Sequence, residues 1–104
     1  MPLVPFRLGE DAVEEAREAR EWYQARSVAA ADSFMKELDD ALERISQFPA
    51  LGAPYIAGTR RYVFRRFPFF VVYRFQEDGP EIQVIAVAHG KRRPGYWRRR
   101  LIRH

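Results

Sequence analysis

The hydrophobic period of this chain changes once, and that change limits the folds open to it. Between Ala12 and Ile45 the apolar residues recur every three or four positions, the spacing of one face of an α-helix. From Tyr62 to Val87 they alternate or run together, as strands do when one or both faces are covered. Helices grouped first and strands grouped after predict an α+β domain, with the helices packed on one face of the sheet.

LVPFRL, residues 3–8, alternates and reads as a short first strand that Pro5 confines to an edge or a bulge. Glu10 and Asp11 place acid where a helix start favours it. Ala12, Ala16, Ala19 and Tyr23 follow at helical spacing, with Val13 and Trp22 widening the stripe, so a helix of about 16 residues is expected. Ser27 is a suitable N-cap for a second helix. Val28, Ala31, Met35, Leu38, Leu42 and Ile45 form its stripe, with Phe34 beside them. The two make an antiparallel helical hairpin, and FPALGAP, residues 48–54, ends it.

RRYVFRRF and FFVVYRF then read as strands around a corner at Phe67-Pro68, and IQVIAVAH as a third after a turn at Asp78-Gly79-Pro80. The expectation is a three-stranded antiparallel meander. Its last strand, apolar on both faces from Val84 to Val87, suits a central place. His89 stands at the end of that strand, and KRRPGYWRRR is expected to leave the sheet edge there. At 104 residues the whole chain, 1–104, reads as one domain.

Charge is unevenly spread. Residues 1–58 hold six Lys/Arg and eleven Asp/Glu, a net of −5, whereas residues 59–104 hold twelve and three, a net of +9. Halves of opposite sign suggest different partners. The absence of cysteine excludes disulfide scaffolds, thiolate zinc sites and Cys nucleophiles. Two histidines and few acids after position 58 leave no expected metal site or cofactor. MPLVPFRLGEDAVEE does not resemble a signal peptide. The longest apolar run, FPFFVVY, has seven residues, too few to span a bilayer. A cytoplasmic protein without membrane contact is expected.

HGKRRPGYWRRR, residues 89–100, concentrates the chemistry. Metal-free RNA cleavage needs a base, an acid and cations for the phosphorane, which His89, Tyr96, Arg92 and Arg93 could supply. A lone His at a strand end is more often structural. Tyr96 and Trp97 have two readings, as rings folded back on the sheet or as flat surfaces beside guanidinium groups.

The assembled order resembles the RelE/ParE superfamily of toxins from bacterial type II toxin–antitoxin systems. WYQARS, AAADSFMKELDDALERI, FPALGAPY, RRYVFRRFPFFVVYRF and IQVIAVAHGKRRPGYWRRR carry the likeness. Its most specific part is R-x-F-P-[FY]-x-[VI]-x-Y followed by V-x-A-V-x-H-x-x-R-x-P-x-Y-W. The resemblance implies two possible activities: RelE-like members cut mRNA on the ribosome without metal, and ParE-like members poison DNA gyrase. Nuclease members often carry an arginine three residues before the tyrosine of the middle meander strand. Here Phe70 precedes Tyr73 at that place, while Arg92 matches the arginine that follows the last strand.

The departure favours the ParE-like branch, with a cognate antitoxin and DNA gyrase as partners and no catalytic residues. The enzyme alternative is a ribosome-dependent endoribonuclease using His89, Arg92, Arg93 and Tyr96, and a third reading is a basic nucleic-acid-binding module without toxicity. Target contact is expected at Arg92, Arg93, Tyr96, Trp97 and Arg98. Antitoxin contact is expected at Trp22, Tyr23, Phe34, Arg61 and Arg66.

Overall fold

The structure, a computed structural model, describes residues 3–75, 79 and 81–102. Strand β1 (Phe6–Leu8) leads into helices α1 (Glu10–Gln24) and α2 (Val28–Gln47), followed by β2 (Ala53–Pro54), β3 (Arg60–Val63), β4 (Phe69–Arg74) and β5 (Ile82–His89). Asp78 and Pro80 of the expected turn lie outside the described residues.

Both helices form where the stripes require them. The Ser27 hydroxyl accepts from the Ala30 N–H at 3.2 Å and caps α2. Ala31, Phe34, Leu38, Leu42 and Ile45 are buried, whereas Val28 stays 64% exposed, so the buried stripe begins one turn later than its pattern suggested. Val13 is exposed as well.

The sheet is five-stranded and mixed, in the order β1-β5-β4-β3-β2. The β3–β4–β5 meander is antiparallel as expected, and β5 lies inside the sheet. Two additions extend it. Strand β1 is shorter than residues 3–8 and pairs parallel to β5, Phe6 opposite Ile82 and Leu8 opposite Val84. Pro5 sits just before it, where its carbonyl accepts from Ile82 N at 2.9 Å and no N–H is needed. At the other edge β2 covers only Arg60 and Arg61 of β3.

At the Phe67-Pro68 corner the Glu37 carboxylate accepts from the backbone N–H of Arg65 and Arg66. Tyr73, fully buried, donates its hydroxyl to Pro49 O and accepts from Gly52 N. A Cβ at residue 52 would lie 2.8 Å from that hydroxyl, so glycine is needed for the approach.

One sheet face carries the main core. There the hairpin packs Ala12, Ala19, Phe34, Leu38 and Ile45 onto Val71, Tyr73, Ile82, Val84 and Val87. The opposite face corrects the expectation for the basic segment. Residues 90–102 do not leave the sheet edge; they fold back, and Trp97 lies 1% exposed against Val72, Ile85 and Ala86. Without it these side chains would face water. Burying an indole contributes roughly 4–6 kcal/mol as an upper bound, from 150–250 Å² at about 25 cal/mol per Å².

Candidate functional site

Strand β1 stops at Leu8, so among the described residues no strand lies beside the edge of β5 beyond Val84. A register shift opposite Val72/Tyr73 makes Ile85 the extra residue of a β-bulge there. Side chains complete that edge. Glu15 Oε1 accepts from Val87 N at 3.0 Å, and Arg100 Nη1 donates to Ile85 O at 3.1 Å. Glu15 and Arg100 also bind each other through both oxygens, at 2.8 and 3.0 Å, in the bidentate geometry that makes such pairs strong. Tyr96 donates to Glu15 Oε2 at 2.5 Å.

Glu15 thus ties α1, β5 and the C-terminal segment together. Burial, the Glu15 hydrogen bond and the Glu15 charge all push the Tyr96 phenol well above its ordinary value. Burial opposes the charge of Arg100, but Glu15, Tyr96 and Asp11 outweigh it and raise that guanidinium.

Next to this junction a groove of about 420 Å³ opens between α1 and the adjoining ends of β4 and β5. Trp22, Tyr23, Phe69, His89 and Arg92 line it, with Glu18 on the helix side. Trp22 is half-exposed, edge-on to Tyr23, with the Arg26 guanidinium 3.4 Å from its ring centroid. His89 stands edge-on to Phe69, and its Nδ1 accepts from Lys91 N at 3.0 Å. That contact assigns the neutral ring its proton on Nε2.

Beyond His89 the chain makes successive tight turns, from Arg92 N to His89 O, Tyr96 N to Arg93 O, Arg98 N to Gly95 O and Arg100 N to Trp97 O. Arg92 stacks on the Tyr96 ring, 3.9 Å from its centroid. Lys91, Arg93, Arg98 and Arg99 are exposed. Among the described residues, Arg100 is the only basic residue after position 58 that meets a carboxylate within 4.0 Å. Also among the described residues, no group of three or more His, Asp or Glu could hold a metal ion.

The residues singled out in sequence are thereby redistributed. Trp22 and Tyr23, assigned to one partner, share a groove with Arg92, assigned to another. Phe34 is 0% exposed and Trp97 1%, so neither ring presents a contact surface: both are core residues, because each fills the centre of one sheet face. Arg66 lines a smaller depression, of about 210 Å³, at the α2–corner junction. Arg61 lies on the opposite sheet face, 4.4 Å from the Tyr55 centroid. Sequence reasoning passed over Glu15 and Arg100. The signal was present, since Glu15 falls three residues after Ala12 and four before Ala19, and a carboxylate within an apolar stripe needs a cation.

The sequence of the chain, with its helical hairpin on one face of a short sheet, places it among toxins of the RelE/ParE superfamily, ParE branch. A sequence model of the family described as "ParE toxin of type II toxin-antitoxin system, parDE" matches residues 6–94, and the chain belongs to that family. Among solved structures it is similar to one from P. aeruginosa titled "Chromosomal ParDE TA system from P. aeruginosa". The TM-score is 0.66, over 84% of this chain and 96% of that one, at 17% identity. That likeness concerns the fold. No curated protein sequence matches. Tyr96, Trp97 and Arg100 follow the matched range. Among the described residues, no helix is long and apolar enough to cross a membrane.

Proposed function

We propose that the chain is a cytoplasmic toxin that inhibits DNA gyrase by binding it, cuts no RNA, and is neutralised by a cognate antitoxin. The observation that carries this reading is the engagement of both groups an RNA-cleaving site would use. His89 receives the Lys91 N–H on Nδ1, so that nitrogen is engaged with the protein's own backbone. Tyr96 gives its hydroxyl to Glu15 and holds its proton tightly. Phe70 occupies the place where the resemblance puts a nuclease arginine, and its ring packs edge-on against Tyr55.

In this reading Arg92, Arg93 and Arg98 meet the target, with Tyr96 supporting Arg92 and Trp97 fixing the segment from beneath. Trp22 and Tyr23 receive an apolar anchor of the antitoxin in the groove, and Arg61 and Arg66 meet its acidic residues, while Phe34 holds the groove's rear wall through its stack on Tyr23.

Purified toxin added to gyrase, relaxed plasmid and ATP should stop supercoiling, and the antitoxin should restore it. Transcripts of induced cells should stay intact, and His89→Ala should inhibit as well as the parent. Cleavage of ribosome-bound mRNA in phase with codons, abolished by His89→Ala, would overturn this reading.

A further inference from the structure

The proposed target surface has a charge pattern that protein contact alone does not call for. After position 58 every described cation except Arg100 lacks a carboxylate within ion-pair distance. Five of them, Lys91, Arg92, Arg93, Arg98 and Arg99, are exposed within nine residues of chain, and since Arg92 is stacked on the Tyr96 ring, four are left to reach outward. They are also held in place. Tight turns join the segment, Trp97 plugs it into the sheet, and the Glu15 carboxylate grips Tyr96 and Arg100. A cation display fixed in this way loses little backbone entropy on meeting an anionic lattice.

We infer that this surface binds duplex DNA through its phosphates, without reading sequence. Its rings argue for a duplex over a single strand. Unpaired bases are gripped by stacking on exposed aromatic faces. Here Trp97 is buried and the Tyr96 ring is covered by Arg92, so what faces outward is charge. Phosphate contacts by Lys and Arg position a protein on a double helix and carry no base information. The choice of DNA rests on the gyrase reading above: the enzyme holds a duplex, and a toxin docked beside it would meet both protein and phosphates.

Fluorescence anisotropy of a labelled 30-base-pair duplex, titrated with the full chain, tests this. Four phosphate contacts predict an association constant that falls roughly 100-fold between 50 and 200 mM salt. Arg93→Gln/Arg98→Gln/Arg99→Gln, checked for an unchanged melting curve, should leave a fall of about 3-fold over the same range. A single-stranded RNA or DNA of the same length should bind more weakly than the duplex. Absence of duplex binding at 50 mM salt, tighter binding of the single strand, or a triple variant with unaltered salt dependence would each overturn the inference. A supercoiling assay run alongside separates the two ideas. Gyrase inhibition without DNA binding rejects the phosphate surface and keeps the function, whereas DNA binding without inhibition supports the surface and rejects the function.

Discussion

The two faces of the sheet are closed by different means. On one, two helices bring many modest side chains, among them Ala12, Leu38 and Ile45, around a cluster of Tyr23, Phe34, Phe64, Phe67 and Phe69. On the other, one indole covers Val72, Ile85 and Ala86, and one carboxylate holds the segment that carries it. Stability on the first face is spread over many contacts. On the second it depends on a few groups, which also carry the proposed target surface. Single substitutions should therefore separate the faces.

The largest effect is expected on the helical face. Leu38 is 4% exposed, and Leu38→Asp places an unpaired carboxylate among apolar groups, at a cost of several kcal/mol. In a domain whose whole stability is about 5–15 kcal/mol, the chain should lose its cooperative melting transition. A normal transition for this variant would show that the hairpin face is not packed as described.

Trp97→Ala is the matching test on the second face. Removing a buried Trp typically costs about 3–5 kcal/mol, measurable by urea denaturation. Because the Trp97 ring is buried against the sheet, the chain beyond Pro94 belongs to the fold. A cost below about 1 kcal/mol would mean that the segment merely lies on the sheet, and the contrast between the faces would change from few contacts to none that matter.

What was legible in the sequence follows the same division. The hairpin, the meander and the corner could be read because helical and strand periods are local properties, and Ser27 advertised its cap. Strand β1 beside β5 could be placed only loosely, since three residues cannot specify a parallel partner some seventy positions away. Trp97 was ambiguous for a related reason. Nothing in YWRRR is periodic, and the ring is buried only because, among the described residues, no α-helix covers the sheet face beneath it. Trp22, at the edge of the stripe it widens, is exposed like Val13.

The carboxylate latch gives an intermediate effect. Glu15 and Arg100 side chains are 12% and 17% exposed. Glu15→Leu leaves the Arg100 guanidinium only Asp11 at 3.5 Å and the Ile85 carbonyl, and strands the Val87 N–H and the Tyr96 hydroxyl, at a cost of about 3 kcal/mol. Glu15→Leu/Arg100→Leu should lose less than the sum of its singles, with a coupling of about 0.5–3 kcal/mol in a double-mutant cycle. Strict additivity would show that the pair is solvated, and that Trp97 alone holds the second face.

Tyr96 sharpens this further through pH. Its raised pKa means that the folded chain holds the phenol proton more tightly than the unfolded chain, whose value is near 10.0. The associated stability is whole below about pH 10 and is lost as pH rises through the folded-state value. Tyr96→Phe should cost about 1.5 kcal/mol at neutral pH and make the alkaline fall in Tm shallower. Burial also raises Tyr23 and Tyr73, so some alkaline fall should remain. An identical alkaline profile in parent and variant would remove Tyr96 from the latch.

The smallest expected effect lies where the second face meets its loop. Tyr55 and Ile56, which pack beside Trp97, are followed by Ala57 at φ 59° and Gly58 at φ 76°. Both residues are in the left-handed region, which costs an L-residue about 1–2 kcal/mol and glycine little. Ala57→Gly removes that strain but adds freedom to the unfolded chain, worth about 0.4–1 kcal/mol, so a net gain of about 0.5 kcal/mol is expected. Gly58→Ala meets no heavy atom within 4 Å of the new Cβ, so its loss of about 1 kcal/mol would be conformational alone. Opposite signs from adjacent residues, read by chemical denaturation with equal m-values, would show that the second face tolerates a strained loop because Tyr55 and Ile56 anchor it. If both substitutions destabilise, Ala57 is held by its packing, and the loop belongs to the second core as fully as Trp97 does.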